Sequence, residues 1–165
     1  MDYFFNFEKL SYLRGGRPEG CILCLVRDHT EQVVDLTVYE YENFSVCLNL
    51  YPYNPGHLMV FPHRHVVDLR DLTPEERRTL DTMIDRSLTI LDQEYHPAGF
   101  NVGCNMGLTA GASIDHLHFH IIPRYAREIG IAELLAGKRV LVENPLDSQI
   151  RLKSAFQNRY TITAG

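Results

Sequence analysis

The sequence has no excess of positive charge. Lysine and arginine together number 16 against 21 aspartates and glutamates, which gives a formal net charge of -5 at pH 7. Without a sustained basic surface, nonspecific nucleic-acid binding is disfavoured as the main task, because such binding depends on neutralising phosphates. A small anionic substrate remains compatible with this balance, since local donors rather than net charge hold such a ligand.

Long apolar runs and an export signal are also missing from the sequence. No apolar run approaches the roughly 20 residues that cross a bilayer. The first eight residues, MDYFFNFE, have neither the basic start nor the apolar centre of a signal peptide. With 165 residues and 45% hydrophobic side chains, we expect one domain over residues 1–165, with no membrane attachment and, by default, a cytoplasmic location.

Cysteine is scarce, and its four occurrences do not suggest a disulfide framework. Cys21 and Cys24 form a C-x-x-C pair, which is compatible with a metal-binding knuckle, a redox pair or chance. A redox pair is expected at the start of a helix after a strand. The glycine-rich residues 15–20 precede this pair instead, which favours a knuckle at the end of a loop. Cys47 and Cys104 stand singly in apparent strands, and we expect them to be small core residues.

Hydrophobic patterning predicts an α+β fold, an antiparallel sheet with one main helix laid on it. Strands are predicted at residues 36–41, 44–50, 57–61 and 100–104 from their β-branched and aromatic content. The first three strands follow one another through connections too short for crossover helices, so they are expected to form a meander. Weaker signals predict a helix or arm at residues 1–12, a strand at 139–142 and a helix at 147–156.

The main helix has a clear beginning and a clear end. Thr73 is in position to cap it, Pro74 occupies the first helical position, and Glu76 completes a capping box. Residues 96–99, HPAG, end the pattern. Between these limits one apolar stripe recurs at helical spacing and predicts a face packed on the sheet; it consists of Leu80, Met83, Ile84, Leu88 and Leu91.

Three histidines alternate with apolar residues at 116–122, HLHFHII. This alternation predicts a strand in which His116, His118 and His120 share one face, about 6.6 Å apart along the strand. The opposite face is apolar and consists of Leu117, Phe119 and Ile121. Pro123 is expected to end the strand, because it has no N–H to donate. Buried without partners, three imidazoles would be costly, so this face is interpreted as a functional site.

The loop at residues 105–113 runs directly into the histidine strand and is rich in small residues. Its backbone amides can surround phosphate oxygens, and an imidazole beside them can act as a nucleophile on phosphorus. Metal binding is the competing use of histidine. Cys21 and Cys24 need two more ligands for a tetrahedral zinc site; His63, His65 and one triad histidine are candidates. A single zinc held by all three triad histidines is the alternative metal arrangement.

Residues 116–122 resemble the H-φ-H-φ-H-φ-φ signature of the histidine-triad (HIT) superfamily at every position. Residues 49–57, NLYPYNPGH, are similar to the nucleoside-binding turn of that family and the strand after it. Asn105 and Ser113 occupy the positions, eleven and three residues before the first triad histidine, of family residues that contact phosphate.

The resemblance extends from about residue 20 to residue 124 and implies a HIT-like sheet of about five strands. It divides the chain into a core at about 20–125 and a C-terminal extension at about 126–165. Residues 139–143 of that extension, RVLVE, look similar to the diadenosine-tetraphosphate phosphorylase-like branch. Family members are commonly homodimers built by joining two sheets, which implies a homodimer here.

A HIT resemblance implies a nucleotidyl hydrolase or transferase that cleaves AMP-containing substrates such as dinucleoside polyphosphates or nucleoside phosphoramidates. His118 would attack the α-phosphorus, and His120 would bind phosphate oxygens and help to protonate the leaving group. Asn49 would bind the ribose, with the base between Leu25 and strand 44–50. The remaining phosphate-binding positions are Asn105, Gly111 and Ser113. The alternatives are a phosphorylase that uses phosphate as acceptor and a nucleotide-sensing module with little turnover.

Several branches of this family also carry a structural zinc ion. The matching positions here are Cys21, Cys24, His65 and His116. His65 is chosen over His63 because the family pattern Pro-x-x-His fits residues 62–65, PHRH. Under this assignment the metal fixes His116, and His118 remains available to react.

Overall fold

The computed structural model describes residues 18–126 and 143–160, so the predictions for residues 1–12 and 139–142 lie outside it. Three helices and five strands form the part of the fold that these residues make up. In chain order they are α1 (Ile22–Arg27), β1 (Thr37–Tyr41), β2 (Phe44–Leu48), β3 (Leu58–Pro62), α2 (Pro74–Tyr95), β4 (Gly99–Cys104), β5 (Phe119–Arg124) and α3 (Pro145–Tyr160). Short 3₁₀ turns lie at Leu69–Asp71 and Leu108–Ala110.

The strands form one antiparallel sheet in the order β1-β2-β3-β5-β4. The first three make the predicted meander, and β5 is inserted between β3 and β4. The predicted α+β class and the five-stranded sheet are therefore confirmed. Strand β4 lies at one edge of the sheet, with Gly103 opposite His120 and Asn101 opposite Ile122 on β5.

The histidine strand is shorter at its start and longer at its end than its sequence pattern predicts. It begins at Phe119 rather than at His116, because its pairing with both neighbouring strands begins there, opposite Val60 of β3 and Cys104 of β4. Residues before it pair with the chain beyond β3 instead, through a 2.7 Å bond from the Leu117 N–H to the carbonyl of Val66. The prediction that Pro123 ends the strand is wrong. Pairing with β3 stops at Ile121, so Pro123 needs to pair only with β4.

Helix α2 begins and ends where its local chemistry predicts. Glu76 donates its N–H to the Thr73 hydroxyl at 3.2 Å, and the Thr73 N–H donates to the Glu76 carboxylate at 2.8 Å. His96 ends the helix in the left-handed region at φ 48 and ψ 51. Of the predicted stripe, Leu80, Met83 and Leu91 are buried and Ile84 and Leu88 are partly buried; Ile90, outside that stripe, is also buried.

The two faces of the sheet carry different layers. Alternate strand residues such as Val46 and Val60 pack with α2 and α3 in the larger apolar cluster. The residues between them, including Cys47 and Met59, pack with α1 in a second cluster. Helix α3 extends the predicted 147–156 to Pro145–Tyr160 and buries Phe156 against the sheet. Within the described residues, no helix combines the length and apolar character needed to cross a membrane.

Candidate active site

A cleft of about 800 Å³ opens on the α1 side of the sheet. All six residues predicted to bind nucleotide or to react line this cleft: Asn49, Asn105, Gly111, Ser113, His118 and His120. Its apolar wall comes from three elements, and its members include Ile22, Leu23, Val26, Val33, Leu36 and Leu48. Leu25 itself does not line the cleft, and Phe44 is buried in the opposite cluster. Their neighbours do line it: Leu23 and Val26 on α1, and Cys47, Leu48 and Leu50 of the predicted strand 44–50. That these apolar residues enclose a base stays a prediction.

His118 is held in one tautomer by the backbone. Its Nδ1 lies 2.7 Å from the carbonyl oxygen of His116, and its side chain is buried at the edge of the cleft. Because a carbonyl only accepts hydrogen bonds, Nδ1 must carry the proton. In the neutral ring the lone pair therefore lies on Nε2. This arrangement suits a nucleophile.

His57 contacts the triad at 2.9 Å from His120, and the sequence patterns did not single it out. It follows a tight turn in which Gly56 has φ +79, and a Cβ there would lie 3.2 Å from the side chains of Leu91 and Tyr95. The turn is tied to the end of β5 by Asn54, whose side-chain amide donates to the carbonyl of Pro123 at 2.7 Å. A histidine directly after a Pro-Gly turn was the one available signal.

Hydrogen bonds fix the direction of a hydrogen-bond relay from His57 to His120. The Tyr53 N–H donates to His57 Nδ1 at 3.1 Å, so the proton of the neutral His57 ring is on Nε2. That Nε2 lies 2.9 Å from His120 Nδ1, which must accept. His57 Nε2 also lies 3.4 Å from the Asn49 amide nitrogen. Both groups are donors, so this contact is not a hydrogen bond. His120 consequently carries its own proton on Nε2.

Burial keeps both relay histidines neutral at pH 7. It lowers the pKa of His57 to about 3, with smaller contributions from the charges that His120 and His118 acquire. It also lowers the pKa of His120 to about 4, again with a contribution from His118. The cleft therefore presents a neutral N–H donor at His120.

The loop before the triad is shaped by glycines and held by Asn105. Gly107 and Gly111 have φ of +86 and +90, a region in which other residues are strained. The Asn105 amide donates to the Gly111 carbonyl at 3.4 Å, and a Cβ on Gly111 would lie 3.4 Å from the same amide nitrogen. Ser113, also on the cleft, ends this loop. The loop thus brings backbone amides and a hydroxyl to the entrance of the histidine strand.

Asn49 is oriented by its own turn. Its side-chain oxygen accepts from the Tyr51 N–H at 2.9 Å, and its backbone N–H donates to the carbonyl of His57 at 2.9 Å. These bonds fix which end of the side-chain amide is the donor, and the residue lines the cleft beside Leu48.

Beside this cleft, the ligand atoms of Cys21, Cys24, His65 and His116 all lie within 4.8 Å of one another. His116 Nδ1 is 3.3 Å from Cys21 Sγ and 3.6 Å from Cys24 Sγ, and His65 Nδ1 is 3.5 Å from Cys24 Sγ. Bond lengths of about 2.3 Å to sulfur and 2.0–2.1 Å to nitrogen give similar ligand separations in a tetrahedral zinc site. The four residues can therefore hold a metal, and zinc fits them.

The surroundings of His116 suit a neutral metal ligand. Its Nε2 donates to the carbonyl of Pro62 at 2.9 Å, which leaves the Nδ1 lone pair on the side of the thiols. Burial lowers the pKa of His116 to about 4, so the ring is neutral at pH 7. His63 lies apart from this cluster and contacts the Ser45 hydroxyl at 2.8 Å.

The C-x-x-C pair, which was predicted to form a knuckle at the end of a loop, lies only partly in a loop. Cys21 caps the N-terminus of α1, and Cys24 lies inside that helix. Helix α1 therefore holds two of the four cluster side chains while its apolar residues line the cleft.

Comparison with known sequences identifies the family. The HIT domain family model matches residues 21–127. An AP-4-A phosphorylase from Mycobacterium tuberculosis (strain ATCC 25618 / H37Rv) is 43% identical over 95 residues, which are 57% of this chain and 49% of that protein. A bis(5'-nucleosyl)-tetraphosphatase (asymmetrical) from Schizosaccharomyces pombe is 39% identical over 77 residues, 47% of this chain and 42% of that protein. The chain thus spans about half the length of these curated relatives.

Solved structures agree in fold. A zinc-bound histidine triad family protein from Mycobacterium smegmatis superposes with a TM-score of 0.67 and 26% identity, over 84% of this chain and 94% of that one. A HIT family protein from Bacillus anthracis gives a TM-score of 0.61 and 26% identity, over 86% of this chain and 98% of that one. The resemblance seen in the sequence is confirmed.

Proposed function

This chain belongs to the HIT domain family, and we propose that it cleaves the α-phosphate linkage of AMP-containing substrates through a covalent nucleotidyl-histidine. The substrates are dinucleoside polyphosphates or nucleoside phosphoramidates. One observation carries the proposal: an Nε2 lone pair on His118 and an Nε2–H on His120 border the same cleft, each fixed by a hydrogen bond at the opposite ring nitrogen.

In the first step, His118 Nε2 attacks the α-phosphorus and forms a P–N bond. The bond from phosphorus to the leaving oxygen or nitrogen breaks, and the His120 Nε2–H donates a hydrogen bond to the leaving atom, which takes any proton that it needs from solvent. The hydrogen bond from the His57 Nε2–H to His120 Nδ1 keeps the His120 proton on Nε2 during this step. Backbone amides of residues 105–113, with Asn105 and Ser113, would stabilise the charge that develops on the phosphate oxygens.

In the second step, water or inorganic phosphate attacks the nucleotidyl group and the P–N bond breaks. His118 recovers its lone pair, and the proton lost by an attacking water passes to solvent. Water releases AMP, whereas phosphate releases ADP. Because a relative with 43% identity is named a phosphorylase, the phosphate-dependent reaction is the specific alternative to test.

The nucleoside would occupy the apolar end of the cleft. Leu23 and Val26 of α1 and residues 33–36 line this end together with Leu48, and they would enclose the base. The side chain of Asn49 lies at its border and would bind the ribose hydroxyls. A nucleotide-sensing role with little turnover would use the same cleft, so the assay below decides between the two.

Zinc would act as a structural brace. Cys21, Cys24, His65 and His116 would hold it, and it would supply a fixed position for the His116 main chain. That position matters because the His116 carbonyl accepts the His118 Nδ1–H at 2.7 Å. The metal ligands thereby support the tautomer of the nucleophile.

A homodimer would form through the edge of β4 that pairs with no strand among the described residues. Residues 101–103 on this edge strand are exposed, and Val102 retains 45% exposure. Pairing two β4 strands would cover this apolar edge. A single species of twice the chain mass in light scattering, converted to monomer by Val102→Lys, would support this; a monomer at all concentrations would refute it.

The test of function is turnover of diadenosine tetraphosphate with and without inorganic phosphate. A hydrolase yields ATP and AMP, and a phosphorylase yields ATP and ADP. His118→Ala should abolish turnover, whereas His29→Ala, an exposed histidine away from the cleft, should retain it. Equal turnover by wild type and His118→Ala would refute the mechanism. Nucleotide binding without turnover across a substrate panel would favour the sensor.

A further inference from the structure

We propose that the part of the cleft beyond His120 is a subsite for the leaving group, built from β4 and β5 and selective for a nucleotide that leaves through its phosphates. The inference rests on the proposed function and names its substrate class: dinucleoside polyphosphates rather than phosphoramidates with small amine leaving groups.

Strand geometry sets the order of groups along the cleft. Residues 118, 120, 122 and 124 recur at every second position, and within β5 such residues share one face about 6.6 Å apart. His118 and His120 flank the reacting phosphate, so a group that leaves beside His120 lies next to Ile122 and then Arg124. Asn101, Gly103 and Ile122 line the cleft in this region. Asn101, Gly103 and Ile122 therefore form the floor of the proposed subsite, against which the leaving group would lie.

Gly103 keeps this floor open directly beside His120. The two residues pair across β4 and β5, so a side chain at position 103 would stand next to the imidazole. A Cβ built on Gly103 meets nothing within 4 Å. Packing therefore does not require glycine here, and Gly103 has no positive φ that would require it either. An absent side chain at this point leaves room for a bulky leaving group beside the His120 N–H.

The Arg124 side chain places a positive charge at the far end of the surface formed by β4 and β5. Arg124 Nη1 donates to the Asn101 side-chain oxygen at 2.6 Å, which links β5 to β4 beyond Ile122. Guanidinium suits phosphate oxygens in charge and in geometry. Arg124 lies four residues, about 13 Å along the strand, from His120. A chain of phosphates can extend toward it, whereas ammonia or a small amine leaving from His120 cannot reach it.

The test compares two substrates in a graded series at position 103. Diadenosine tetraphosphate has a large anionic leaving group, and adenosine 5'-phosphoramidate has a small one. Gly103→Ala and Gly103→Val should lower kcat/KM for the tetraphosphate increasingly, by about tenfold or more for valine, because overpacking an occupied subsite costs about 1–3 kcal/mol. Turnover of the phosphoramidate should stay close to wild type, which also shows that the variants are folded.

Arg124→Gln provides an independent test of the far end. It should lower kcat/KM for the tetraphosphate by about tenfold, as expected for a lost charge-assisted hydrogen bond, and leave the phosphoramidate unaffected. Arg78→Gln, an exposed arginine on α2, is the matched control and should change neither value. Equal losses on both substrates, or none on either, would overturn the subsite while leaving the proposed function intact. Absence of turnover of both substrates by wild type would instead refute the proposed function.

Discussion

The His57–His120 relay can be dissected with two substitutions that each keep one end of the imidazole. His57→Gln places an amide N–H near the position of Nε2, so it can still donate to His120 Nδ1. It cannot accept from the Tyr53 N–H. His57→Asn places its carbonyl oxygen near the position of Nδ1, so it keeps the Tyr53 bond and loses the donor to His120. We therefore expect glutamine to preserve activity and asparagine to lose it.

The structure sets the size of these effects. The pKa of His57 is lowered from 6.5 to about 3, and at 1.36 kcal/mol per unit this is a preference of about 5 kcal/mol for the neutral ring. The ring thus remains an Nε2–H donor throughout the neutral pH range. Loss of the His57 acceptor for the Tyr53 N–H in His57→Gln should lower the free energy of unfolding by about 1–3 kcal/mol. A hydrogen-bond donor aimed at developing charge contributes up to about 10²–10³ in rate, so a misplaced His120 proton in His57→Asn should cost about ten- to a hundredfold in kcat.

The assay is kcat for diadenosine tetraphosphate, measured where urea unfolding shows both variants to be folded. A substrate with a much better leaving group should rescue His57→Asn in part, because it needs less stabilisation by the His120 N–H. Equal kcat in the two variants, or a greater loss in glutamine than in asparagine, would refute the relay.

Three further outcomes are expected. Gly56→Ala should lower the free energy of unfolding in urea by about 1–3 kcal/mol, since it adds an overpacked methyl group. Gly20→Ala is also at positive φ but in open space, so it should lower the free energy of unfolding by less. Equal losses of stability in the two variants would contradict the packing argument. Arg64 lowers the pKa of Glu76 below its ordinary 4.5. Glu76→Gln should therefore destabilise the protein at pH 7, and the difference from wild type should shrink as pH falls below 4.5; a pH-independent difference would exclude the ion pair as its cause. Purified protein should contain about one zinc per chain by elemental analysis, and alanine at both cysteines of the C-x-x-C pair should abolish it; metal that survives this change would place the site elsewhere.

Interactions between residues that are close in sequence determine some parts of the fold, and those parts could be predicted from the sequence. The start of α2 follows from Thr73, Pro74 and Glu76, whose capping bonds are all within one turn. The limits of β5 do not follow from its alternation, because they depend on which of its residues pair with β3 and β4. Pro123 illustrates the difference: its missing N–H matters only where a neighbouring strand needs it, and β3 no longer pairs there.

The candidate site likewise contains residues that sequence patterns predicted and residues that they did not. Regular spacing identified the triad, and the family resemblance supplied Asn49, Asn105 and Ser113. His57 was missed because its partner, His120, lies 63 residues away and no spacing connects them. Gly103 was missed because a glycine in a strand has no side chain to form a pattern. Only the strand register shows that Gly103 lies opposite His120.

The central claim is that His118 forms a covalent bond to the nucleotide. Mass spectrometry of protein mixed with diadenosine tetraphosphate and quenched in alkali, where a P–N bond survives, tests it most directly. The account predicts one adenylyl group on the peptide that contains His118, formed as fast as turnover and absent from His118→Ala. Turnover without any adenylylated protein, or an adenylyl group on another residue, would contradict it.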